Sequence, residues 1–202
     1  MKITKNRKQM LNNFDTTKVY EPLEAIKILK EKSYVKFKET IDISINLGID
    51  SNKTDQNIKG VINLPNGTGK TVKVAVIAND EKQKDAISNG ADLVGSDDLI
   101  ETISKSKIEF DVLIATPDMM PKLGKVAKIL GPKGLMPNPK LGTVTNEISQ
   151  SVKDAKSGQV KFKNDKSGIV HAGVGKLDFN EEDLLENIKT FYSSVSKSKP
   201  DA

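Results

Sequence analysis

Cysteine is absent from the 202 residues, and so is tryptophan. Without a thiol there is no disulfide framework, no zinc ribbon and no cysteine nucleophile. Histidine occurs once, as His171. A single imidazole without cysteine cannot build a His-rich metal site, so no metal is expected. Long apolar runs are also missing. The strongest, Val74-Ala75-Val76-Ile77-Ala78, has five residues against the roughly 20 that span a bilayer. The first ten residues are polar, which argues against a secretory signal. Arginine is nearly absent, with Arg7 alone among 32 cations. Arginine is the side chain best suited to bidentate phosphate contacts. Abundant Asn, Ile and Lys point to codon bias, so the choice of cation says little about the partner. What remains is a lysine-rich chain of net charge +5, with 36% hydrophobic residues, enough for a core. It is expected to be soluble, cytoplasmic and free of the membrane.

The pattern changes character twice along the chain. Pro22 opens a stretch with Leu23, Ile26 and Leu29 at helical spacing, predicting a helix. Ile41, Ile43, Ile45 and Leu47 then alternate with polar residues, the period of a half-buried strand. Residues 60–64 read as a second strand, ended by Pro65-Asn66-Gly67. From residue 72 an apolar strand is followed by a helix from about Asp80 to Gly90 and a strand over 91–94. A helix then starts at Ser96, with Asp97 and Asp98 at its positive end and Lys105 and Lys107 at its negative end. A strand over 110–115 leads through Thr116-Pro117-Asp118 into a helix predicted to run to Leu130. Strands alternating with helices predict a parallel sheet covered on both sides. After residue 158 the first style returns. Strands over 160–163 and 169–172 flank Asp165-Lys166-Ser167-Gly168, a hairpin turn. Asn180, with Glu181, Glu182 and Asp183 behind it, opens the last helix. Phe179 and Leu184 stand where a hydrophobic staple belongs, and Leu184, Ile188, Phe191 and Val195 form the stripe.

The reading is therefore an α+β first domain formed by both chain ends, 1–67 and 159–202. It is interrupted by an α/β Rossmann-like three-layer second domain, 68–158. The crossings carry Gly67, Gly69 and Gly158, candidate hinge positions.

Residues 119–146 hold five lysines and no acidic residue, a charge equal to the whole net +5. Within them, the 131–142 loop carries three prolines and three glycines. Its Lys133 and Lys140 suit phosphate, the alternative being a rigid surface loop with solvated lysines. Asn66-Gly67-Thr68-Gly69-Lys70-Thr71 imitates a phosphate-binding loop. It lacks the glycine five positions before Gly69, where Leu64 stands, and it precedes a strand rather than a helix. An enzyme using the α/β insertion would need a phosphate fingerprint after residue 78, but Asn79-Asp80-Glu81-Lys82 has no glycine and is acidic. No paired-carboxylate constellation is present, and no spacing singles out an Asp partner for a triad on His171. Catalysis, cofactor and small-molecule substrate are therefore not expected. Phe37 between Lys36 and Lys38 combines a stacking face with charge, a pairing used on RNA; the alternative is that Phe37 packs on the sheet.

Three runs carry a resemblance. They are Ala115-Thr116-Pro117-Asp118-Met119-Met120, then Ile129-Leu130-Gly131-Pro132-Lys133-Gly134-Leu135-Met136-Pro137-Asn138-Pro139-Lys140, then Gly142-Thr143-Val144. Asn164-Asp165-Lys166-Ser167-Gly168 with His171 supports them. The sequence resembles the large-subunit ribosomal protein L1 family, the proteins of the mobile stalk. The resemblance implies a two-domain fold and a non-enzymatic role in the large ribosomal subunit. The role would comprise binding large-subunit rRNA at the stalk, assisting release of deacylated tRNA from the exit site, and repressing translation of the protein's own mRNA. By position it implies an RNA face of Lys36, Phe37, Glu39 and Thr40, with Lys163, Lys166, Ser167 and His171. Lys161 and Lys176 are neighbours, and the 131–142 loop is a secondary contact or an interdomain element. Members of the family usually continue past the Lys-Pro at 199–200 with a further strand and a Thr-Met-Gly segment. This sequence ends at Ala202, and its first-domain sheet is expected to lack that strand.

Overall fold

The computed structural model describes residues 5, 8, 15, 17–53, 56–105 and 108–199, apart from the side chains of Asp80, Glu81 and Lys140. Lys107, expected at a helix end, lies outside the described residues. In chain order the elements begin with α1 (Pro22–Lys32), β1 (Thr40–Asn46), β2 (Lys59–Asn63), β3 (Val74–Ile77) and α2 (Asp80–Ser88). Next come β4 (Leu93–Gly95), α3 (Asp97–Ser104), β5 (Val112–Ala115) and a broken helical stretch over 117–130. The chain closes with α4 (Ile148–Lys156), β6 (Gln159–Lys163), β7 (Ile169–Lys176) and α5 (Glu181–Ser198). The architecture is mixed α/β.

β3 is flanked by β4 and β5, both parallel to it. Every residue of β3 is buried, because its two faces look into different cores. Val74 and Val76 face Ala86 of α2 and Ile148, Val152 and Ala155 of α4. Ala75 and Ile77 face Ile100 and Ile103 of α3, with Met119, Leu123, Val126 and Leu130 beyond. The period-two side-chain alternation of a strand makes a continuous apolar run necessary here, as it is in a sheet covered on both sides.

The stretch over 117–130 is not the single helix predicted. It breaks into Pro117–Met119, Met120–Leu123, Gly124–Val126 and Ala127–Leu130, alternating between tight and regular turns. Pro121 has no amide proton to donate, and Gly124 favours helix least among non-proline residues. The buried residues nevertheless keep their places. α4 was not predicted, although Ile148, Val152 and Ala155 recur at helical spacing and all three are buried.

Residues from the two ends share a third core, which draws on Ile26, Ile41, Ile58, Ile62, Phe162, Val170, Val174, Leu184, Phe191 and Val195. β1 pairs antiparallel with β7, and β2 with β6. Gly60 stands opposite Phe162, whose ring lies 2.6 Å from where a Cβ would sit. That ring meets Phe191 edge-on at 5.9 Å between centroids. α1 forms where the spacing of Leu23, Ile26 and Leu29 predicts a helix. Ile26 is buried, but Leu29 is 51% exposed and Leu23 is at the surface too. In α5, Asn187 is fully buried where the pattern favoured Ile188, which is only partly covered.

Asn187 belongs there because of what it holds. Its amide nitrogen donates to the carbonyls of Gly67 (3.0 Å) and Val174 (2.8 Å), and its oxygen accepts from the Asn66 N–H (3.2 Å). It thereby ties the segment leaving β2 to β7. Gly158 leads back into β6 with φ +103°, and a Cβ there would sit 2.4 Å from the Cα of Gly67. Only glycine permits this crossing.

Candidate nucleic-acid interface

The alternation of β1 sends Ile41, Ile43 and Ile45 inward and leaves Thr40, Asp42, Ser44 and Asn46 on the outer face. Opposite them on β7 stand Lys176, Gly173, His171 and Ile169. A register shift between Ile41 and Asp42 keeps Thr40 and Lys176 paired. Lys176 Nζ donates to Thr40 Oγ1 at 2.8 Å. Gly173 leaves room for Asp42, whose carboxylate would lie 3.1 Å from a Cβ at that position. The result is a polar strip about 20 Å long, at about 3.3 Å per residue over β1.

One end of the strip carries Lys36 and Phe37. Phe37 is 70% exposed, so it does not pack on the sheet. Its segment is held by its neighbours. Glu39 accepts from the Ser33 hydroxyl (2.6 Å), and its carbonyl accepts the Leu177 N–H (2.9 Å). Lys38 pairs with Asp178 at 2.6 Å, which raises the lysine and lowers the carboxyl, mainly through their hydrogen bond. A shallow depression lined by Lys30, Lys36, Phe37, Glu39 and Asp178 lies here.

The hairpin turn closes the other end. Asp165 accepts the N–H groups of Ile169 and Ser167, each at 2.8 Å. The Ile169 contact is the largest influence holding its carboxyl below the ordinary range; the Ser167 amide and His171 add to it. Gly168 has φ +73°, and a side chain there would meet the Ile49 carbonyl at 2.7 Å. Lys166, Ser167 and His171 are exposed. His171 Nδ1 lies 2.9 Å from Ser44 Oγ, and its Nε2 lies 3.6 Å from Asp165. The structure thus supplies the Asp neighbour that spacing did not reveal. Buried Asn164 anchors the hairpin base: its oxygen accepts the Ile58 N–H (2.8 Å) and its nitrogen donates to Asn57 (3.1 Å).

Residues 29–202 match the sequence model of the ribosomal protein L1p/L10e family. The chain belongs to that family. The large ribosomal subunit protein uL1 of Rickettsia peacockii (strain Rustic) is 57% identical over 182 residues, which cover 90% of this chain and 76% of that protein. The proteins of the same name from Rickettsia conorii (strain ATCC VR-613 / Malish 7) and Rickettsia akari (strain Hartford) show the same identity and coverage. The L1p/L10e family is structural, and this chain is not an enzyme.

Within this member of the L1p/L10e family, the residues expected to form one RNA face fall into two groups. Lys36, Phe37, Glu39, Thr40 and Lys176 gather at one end of the β1–β7 strip, and Lys166, Ser167 and His171 at the other. Asp42, Ser44 and Asn46 complete the outer face of β1, which the strand alternation marks as outward-facing. Lys161 is not on this strip. It stands opposite Val61 on β6 and lines a cleft with the 131–142 loop, where burial pushes its amine down. Lys163, two residues on, borders both that cleft and the hairpin depression. In the loop, Lys133 is exposed, and the side chain of Lys140 lies outside the described residues. Gly67 and Gly69 both have positive φ, and residues 69–73 form no helix, as the rejection of a phosphate-binding loop requires. Among the described residues, no group of three or more acidic or histidine side chains could hold a metal ion. No described helix is long and apolar enough to cross a membrane.

Proposed function

We propose that this protein is a structural constituent of the large ribosomal subunit in the cytoplasmic ribosome and binds large-subunit rRNA at the mobile stalk. The observation that carries this reading is Phe37, an exposed aromatic beside Lys36 at the end of a solvent-facing polar strip. An exposed phenyl ring adds no burial to the fold, and beside a lysine it offers an unpaired base a stacking face next to a phosphate contact. Lys36, Lys166 and Lys176 supply phosphate contacts, with Lys163 at the hairpin base. Glu39, Thr40, Ser167 and His171 supply hydrogen bonds. The relatives' name, large ribosomal subunit protein, supports the assignment.

The same reading extends to two further roles, assisting release of deacylated tRNA from the exit site and repressing the protein's own mRNA through the same face. Its framework is a first domain of 1–67 and 159–202, with a second domain of 68–158 joined through Gly67, Gly69 and Gly158. The separate core shared by the chain ends supports that division. Fractionation decides the principal role: the protein should sediment with large subunits and leave them at high salt. Sedimentation only with free mRNA would replace the ribosomal role with a regulatory one.

A further inference from the structure

Lys59, Lys161 and Lys163 share the outer face of the β2–β6 ladder. Lys59 is directly opposite Lys163, and Lys161 is two residues along the same strand. Like charges placed directly opposite on a sheet are destabilising. No carboxylate among the described residues pairs with any of the three. Lys161 is partly buried, so its ammonium has lost water without gaining a counter-charge. The three lysines line one wall of a cleft of about 760 Å³, and Gly134, Asn138 and Leu141 of the 131–142 loop line the other. An arrangement that costs stability on the sheet and is left uncompensated is accounted for by an anion that enters the cleft.

The anion's form follows from the lining. Lys161 and Lys163 are about 6.6 Å apart at strand rise, a row rather than a single focus. A row of cations matches a chain of charges better than one compact anion. The cleft holds no exposed aromatic ring for a base to stack on; Phe162 is buried in the core. Contact with a backbone, not with bases, is what these groups offer. We propose that this cleft is a second binding site, separate from the β1–β7 strip, which holds the phosphodiester backbone of a single RNA strand without reading its sequence. It deepens the RNA-binding reading above, but concerns a different surface.

The probe is a fluorescein-labelled 12-nucleotide oligouridylate, titrated with the full chain at several salt concentrations. K59Q/K161Q should lose about tenfold in affinity, as for two screened charge contacts. Its log–log salt slope should become shallower by about 1.4, at about 0.7 per phosphate on a single strand. Because the change relieves repulsion, thermal stability should be equal or higher. K125Q/K128Q removes the same charge from exposed positions outside the cleft and should leave binding nearly unchanged. Equal losses in the two double variants would reduce the effect to net charge and overturn the proposal. Unchanged binding by folded K59Q/K161Q would overturn it as well. Displacement of the probe by an equimolar amount of inorganic pyrophosphate would mean a small-anion site instead of a strand. The effect of Phe37→Ala on binding to a structured rRNA fragment tests the β1–β7 strip separately, so the two readings can fail independently.

Discussion

Phe37 shows how one side chain can be tested apart from the fold. Its ring is exposed, so Phe37→Ala should leave the thermal midpoint unchanged while costing about 1–3 kcal/mol in binding to a structured rRNA fragment. Lys133→Ala, which removes a single exposed charge, should cost less, within about 1 kcal/mol. Filter-binding titrations on folded variants compare the two, and equal losses would make the 131–142 loop a primary contact. Asp165 bears on pH. Its carboxyl is depressed first by the Ile169 N–H and further by the Ser167 N–H and His171, so the charged form is favoured in the folded hairpin. The resulting stabilisation is complete above the ordinary carboxylate range and is lost as pH falls through the lowered folded value. The amide resonances of Ser167 and Ile169 should therefore titrate together, with a midpoint below that of an ordinary aspartate. Asp165→Asn should abolish that transition.

At the scale of elements, the crossing between Gly67 and Gly158 is the most constrained feature. Asn187→Ala would leave the carbonyls of Gly67 and Val174 and the Asn66 N–H without their partner. Unpaired buried groups cost about 1–3 kcal/mol, so chemical denaturation should show a loss of at least this order. Gly158→Ala adds two penalties, a positive φ and a backbone contact at 2.4 Å. It should destabilise by more than the roughly 1 kcal/mol that separates glycine from alanine at compatible sites. If Gly158→Ala instead folds with unchanged stability, the crossing has slack and the glycines are not required for close approach. Gly134, also at positive φ but with open space around it, should respond less than Gly158.

For the whole molecule, the lysine excess and the polar strip together predict binding governed by salt. If about four to six phosphates are contacted, log K should fall against log salt with a slope of roughly −3 to −5, at about 0.7–0.9 per phosphate. Electrophoretic mobility shifts with one rRNA fragment from low to high salt measure it. An affinity that stays flat would remove the electrostatic part of the account. The order of strands and cores bears on the same partner. The ladders β1–β7 and β2–β6 both pack their inner faces on the core shared by the chain ends, so one RNA could reach both outer faces.

Local pattern was sufficient for the strands and for the polar-out, apolar-in alternation of β1, because side-chain direction in a strand has period two and needs no partner to be read. It was sufficient too for the parallel sheet covered on both sides, since an unbroken run such as 74–78 cannot be half-exposed without cost. The lysine-rich, acid-free 119–146 segment and the hairpin at 165–168 were legible as composition and turn chemistry. Three matters depended on distant packing. The 117–130 helix broke, because buried contacts hold the chain where Pro121 and Gly124 weaken regular hydrogen bonding. Asn187 replaced an apolar residue in the core, because two carbonyls from other segments needed a donor there. His171 met Ser44 and Asp165, and Lys161 met the 131–142 loop, only through strand register and tertiary approach. Hydrophobic period is a property of neighbouring residues, whereas the pairing of polar groups far apart in sequence is settled only when the chain closes on itself.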